Sequence, residues 1–119
     1  MGWMDAGLAR ARAAASDASA DLAEVNSRLG AARTWMAVTG TSDSAARRAA
    51  DSGVGRLAPV APITALVASQ TAALHSRAIA TVDELTARQE AARNRLSLAR
   101  KSQSAMTRIA SETDKVLGE

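Results

Sequence analysis

Between residues 4 and 36 an apolar side chain recurs at alternating steps of four and three: Met4, Leu8, Ala11, Ala15, Ala18, Leu22, Val25, Leu29, Ala32 and Met36. The intervening positions hold most of the charge, at Asp5, Arg10, Arg12, Asp17, Asp21, Glu24, Arg28 and Arg33. This repeat averages about 3.5 residues and draws a narrow apolar stripe down one side of a helix. A lone helix cannot keep such a stripe from water, so the chain must pack helix against helix.

The same spacing returns later, at Ala78, Val82, Leu85, Gln89, Ala92, Leu96, Ala99, Gln103, Met106, Ala110, Thr113 and Leu117. Leu98, Ala105, Ile109 and Val116 add a neighbouring stripe. The second seam is therefore wider than the first and has room for more than one partner helix. Gln89 and Gln103 are polar at seam positions; they either pair across the bundle or set its register. Between the repeats, Thr39, Gly40, Thr41, Ser42 and Asp43 interrupt the pattern. Glycine suits a helix end, and Thr41 or Ser42 can cap a new helix.

The spacing thus predicts a helix over 4–38, a short alanine-lined helix over 43–52, a Gly/Pro connection over 53–61 and a long helix over 62–117. Pro62 suits the first turn of that last helix. At about 1.5 Å per residue, the first and last helices span on the order of 50 and 80 Å. The expected architecture is all-α and a single domain over 1–119. It is an elongated, coiled-coil-like antiparallel helical hairpin with a kink or short middle helix, completing a bundle with a second chain. The side chains expected at the partner interface are Leu8, Leu22, Val25, Leu29, Trp35, Met36, Val82, Leu85, Leu96, Met106 and Ile109.

Apolar residues make up 47% of the 119, but much of that is alanine, which buries little area each. There is no Phe or Tyr, and the only Trp residues are Trp3 and Trp35. The absence of cysteine rules out disulfides, thiolate zinc sites and a thiol nucleophile. No basic segment followed by an apolar run opens the sequence, so no cleaved signal peptide is expected. The expected location is cytoplasmic or exported without such a signal. The uncharged stretch 57–74 contains Pro59, Pro62, Ser69 and Gln70, and its alanines add little to insertion, so no transmembrane segment is expected.

Catalytic patterns are absent. His75 is the only histidine, no Gly-x-Ser-x-Gly elbow or glycine-rich phosphate loop occurs, and the carboxylates fall on helix surface. A non-enzymatic protein without cofactor or metal is expected. Net charge is +3, and Arg88, Arg93, Arg95, Arg100, Lys101 and Arg108 crowd one segment opposed there by Glu90. These are candidate phosphate contacts, or solvated flanks of a coiled coil. No aromatic residue lies among them to stack on bases.

The run Trp-Met-Ala-Val-Thr-Gly-Thr-Ser-Asp-Ser-Ala-Ala from Trp35 to Ala46 resembles the Trp-x-Gly family of small helical hairpins of type VII (ESX-like) secretion in actinobacteria. Those proteins carry a tryptophan at the turn between two helices, followed by small residues. Here Trp35, Gly40, Ser42, Ala45, Ala46 and Ala49 match that manner. Residue 37 is alanine, and no tyrosine supplies the family's carboxy-terminal export signal. The resemblance implies a four-helix bundle of two hairpins and a role as an exported partner.

The expected function is a helical interaction or assembly protein that forms homo- or hetero-oligomers: a secretion partner, or a structural subunit of a larger particle such as a phage. A basic nucleic-acid binder is the alternative.

Overall fold

A computed structural model describes residues 2–118, the side chain of Met4 excepted, so the first stop of the apolar stripe lies outside the described residues. The described chain is all-helical. It forms two long helices, α1 (Gly2–Asp51) and α2 (Ala61–Gly118), joined by a turn-rich connection over 52–60 as an antiparallel hairpin. It divides into two compact units. Unit 1 comprises Met1–Asn26 with Ala87–Glu119, and unit 2 comprises Ser27–Thr86.

In unit 1 the helices pair along the expected stripes. Ala11, Ala18, Val25, Ala92, Leu96 and Ala99 are buried. Asp21 faces Arg95, and further along α1 Asn26 faces Gln89, so the two segments run in opposite directions. Alanine at so many seam positions lets the helices approach closely, and it has the highest helix propensity. Leu8, Leu22 and Met106 flank this core half-buried.

In unit 2 the seam is of a different kind. Leu29, Ala78 and Leu85 are buried, and Met36 and Val82 are half-buried. Beyond Met36 the seam turns polar. Thr39 and Asp43 are only 3% and 5% exposed. On α2, Thr64, Thr71 and His75 are half-buried at matching steps.

The expected break at Thr39–Asp43 does not occur: α1 runs helical through Gly40 to Asp51. The physical reason lies in spacing. Met36, Thr39, Asp43, Ala46 and Ala50 continue the four-three steps without a missed stop, and all five are buried or half-buried. Gly40 serves packing rather than termination. The His75 ring lies against it, and an added Cβ would meet ring Cε1 at 3.1 Å. The separate helix expected over 43–52 is thus the last part of α1. On α2, Pro62 falls in the first turn, where its missing N–H costs nothing.

The connection is held by a small set of bonds. Ser52 Oγ donates to the Ala49 carbonyl at 2.7 Å and accepts from the Gly55 amide at 3.0 Å. The Gly55 carbonyl accepts from Thr64 Oγ1 at 3.0 Å. Gly55 is buried, and a Cβ there would overlap the Ala49 carbonyl oxygen, so the backbone itself would have to shift. Gly55→Ala is therefore expected to lower stability by about 1 kcal/mol. That is the low end of overpacking costs, because the connection can resettle and alanine stiffens the unfolded chain. Urea titration followed by circular dichroism measures this; a stabilised variant would show that the close approach is not kept in solution.

Candidate functional site

The side chains expected to meet a partner separate into three groups. Val25, Leu29, Leu85 and Leu96 are buried within their own units. The hairpin itself consumes them, so they are unavailable to a second chain. Leu8, Leu22, Met36, Val82 and Met106 line the seam edges half-buried. Trp35 and Ile109 stay exposed, at 51% and 44%.

The exposed large apolar side chains lie chiefly in unit 2. Trp35, Val38, Val54, Leu57, Ile63, Leu66, Val67, Leu74 and Ile79 are all exposed there. At about 100° per residue, Ile63, Leu66, Val67 and Leu74 fall within one sector of α2 about 100° wide. Trp35, Val67 and Leu74 each stand one residue before a seam position. In an antiparallel pair, side chains at that register position on the two helices lie on the same side of the seam. Trp35, Val67 and Leu74 therefore share one side of the unit 2 seam.

Sequence reasoning noted the uncharged stretch 57–74 but not its outward stripe. Counting the four-three steps backward from Ala78 would have found it. The steps place His75, Thr71, Ala68 and Thr64 inward, and so leave Leu74, Val67 and Ile63 outward.

Beneath this apolar flank the seam holds a polar centre. Thr39 Oγ1 lies 3.1 Å from the Met36 carbonyl and 3.1 Å from His75 Nδ1. If the hydroxyl proton goes to the carbonyl, Nδ1 must carry the proton it donates to Thr39. Asp43 Oδ2 pairs with Arg47 Nη2 at 3.1 Å, while its Oδ1 is buried with no hydrogen-bond partner. A shallow pocket here is lined by Gly40, Asp43, Arg47 and His75, among others. Among the described residues, no group of three or more His, Asp or Glu side chains is placed to hold a metal ion. No helix among them is long and apolar enough to cross a membrane.

In unit 1 the two seam glutamines part company. Gln89 Nε2 donates to Asn26 Oδ1 at 2.6 Å, a pairing across the hairpin. Gln103 is half-buried in the same seam. The basic segment also divides. Arg95 is held by Asp21 at 2.7 Å, and Arg88 lies on that same flank of α2. Arg93, Arg100, Lys101 and Arg108 project from the opposite sector. Two open grooves run there, lined in part by Ser97, Ser104, Ser111 and Lys115.

Comparison of the chain with protein-family models, with curated proteins and with solved structures finds no match. The turn implied by the resemblance to Trp-x-Gly proteins falls elsewhere here: Trp35 sits inside α1, and the chain reverses over 52–60.

Proposed function

We propose that this chain is a non-enzymatic helical assembly protein, and that the outer apolar flank of unit 2 is where a second helical chain docks. One observation carries this reading: unit 2 keeps Thr39, Asp43 and His75 in its seam while Ile63, Leu66, Val67 and Leu74 face outward. That distribution is the reverse of what a lone hairpin needs. Exposed apolar side chains gathered on one sector of a helix mark an interaction site. A docked helix would cover the stripe in the helix-in-groove manner, through anchors at three- and four-residue spacing.

Partner classes consistent with such a face include a second copy, a different helical subunit of a larger particle, and an exported bundle partner of the Trp-x-Gly kind. The last draws support from Trp35 and the small residues after it, and the unbroken helix through Trp35 weighs against it.

The test combines mass measurement by light scattering across micromolar concentrations with retention of partners from the native source. The wild-type chain is expected to form dimers or larger species, or to retain a helical protein in stoichiometric amount. The triple variant Leu66→Ser, Val67→Ser, Leu74→Ser is expected to lose that association with its helicity unchanged. A triple variant that associates as well as wild type, or a wild-type chain that is monomeric and retains nothing, rejects the reading.

A further inference from the structure

Unit 1 carries a second surface of different chemistry, independent of the apolar flank. At about 100° per residue, Arg93, Ser97, Arg100, Lys101, Ser104, Arg108, Ser111 and Lys115 fall within one sector of α2 about 100° wide. Five of these eight are cations and three are hydroxyls, and Ser97, Ser104 and Ser111 recur every seventh residue between the cations. All eight are exposed. Glu112 edges one of the grooves, and Glu90, three residues before Arg93, falls on the same sector one turn beyond the cations.

We propose that this face binds the phosphate backbone of duplex nucleic acid without reading its sequence. The argument is one of charge, donors and length. Arginine forks and serine hydroxyls both donate to phosphate oxygens, and a face that supplies them alternately can follow a line of phosphates. From Arg93 to Lys115 the helix rises roughly 33 Å, close to one duplex turn of about 34 Å. Arg95 and Arg88 take no part, since they lie on the far side with Asp21.

Two absences on this face choose the occupant. It has no aromatic side chain, so it lacks the stacking platform that single strands require. Its sector contains none of the exposed large apolar residues that α2 carries in unit 1: Leu98, Ile109, Val116 and Leu117 all project elsewhere. A membrane-surface helix needs a broad apolar face next to its cations, and here Leu98, Ile109 and Val116 on the neighbouring sector are separated by Ser102, Ala105 and Glu112.

The test is fluorescence anisotropy of the full chain with a labelled duplex of about 20 base pairs, at several salt concentrations between about 50 and 200 mM. The wild-type chain is expected to bind at the lowest salt, with log K falling against log salt at a slope of about −3 to −4. The triple variant Arg93→Gln, Arg100→Gln, Arg108→Gln is expected to lose roughly 2 to 3 units of that slope and about tenfold or more in affinity. Ser104→Glu alone should weaken binding by repulsion while changing one exposed side chain. Arg88→Gln should change affinity less than about threefold, being off the face.

No duplex binding at the lowest salt overturns the proposal. So does an equal loss from Arg88→Gln, undiminished binding by Ser104→Glu, or preference for anionic vesicles or single strands. Circular dichroism on each variant separates loss of contact from loss of fold.

Discussion

Leu29→Asp is expected to abolish the folded hairpin. Leu29 is 1% exposed in the unit 2 seam, and with Val25 it is the largest fully buried side chain among the described residues. Truncation to alanine at such a site costs about 2–5 kcal/mol through lost burial and the cavity left behind. A carboxylate adds the cost of desolvating a charge at an almost fully buried position. Single domains are typically stable by only about 5–15 kcal/mol, and a seam built largely of alanine belongs toward the low end. The expected result is a sharp loss of helical signal at 25 °C and no cooperative thermal transition. Leu66→Asp is the matched control, since Leu66 is 58% exposed and should keep full helicity. A well-folded Leu29→Asp chain would show that the two helices do not pair through this seam.

Asp43→Ala is expected to stabilise the protein by about 1–3 kcal/mol, the cost of leaving a buried polar atom without a partner. Two effects oppose each other at this position. The ion pair with Arg47 is worth a few tenths of a kcal/mol, because it joins residues four apart on one helix and Arg47 is largely exposed. Against it stands the carboxylate itself, 5% exposed, with Oδ1 unpartnered. Alanine removes the orphan oxygen, matches the neighbouring seam residues Ala46 and Ala50, and raises helix propensity. Denaturant titration should show a higher midpoint with an unchanged slope. A loss of more than about 1 kcal/mol would mean that Oδ1 is satisfied in solution and that Asp43 holds the seam together.

The four-three arithmetic made the architecture legible. Val25 and Leu29, and Leu85 and Leu96, lie where the repeat put them, and two long helices of opposite direction followed from the two runs. The arithmetic also went further than its first use. Thr39 and Asp43 looked like a break because their chemistry is that of caps and turns. Their positions, however, are seam positions, and in an alanine-rich helix spacing outweighs the local preference of single polar residues. Gly40 misled for the same reason: it is small because a ring lies on it.

The partner-facing residues were less legible. A periodic apolar residue meets a partner, but the partner can be the same chain, and Val25, Leu29, Leu85 and Leu96 are used internally. The outward stripe of Ile63, Leu66, Val67 and Leu74 was hidden because the inward positions beside it are alanine, threonine and histidine. Polarity alone does not show which side of such a helix faces inward. The basic face divided for a simpler reason: consecutive arginines such as Arg93 and Arg95 point to different sides of a helix.

The polar centre of unit 2 has a consequence for how this molecule withstands heat. A middle built from hydroxyls, an imidazole and a half-satisfied carboxylate gains little from excluding solvent, so this half of the hairpin is expected to loosen first on warming. Any chain that settles on its greasy exterior acts as a splint, and its occupancy lifts the melting point as its concentration rises. On the assembly reading proposed above, partner supply and thermal endurance then become one quantity, and a molecule left alone is the one most readily taken apart.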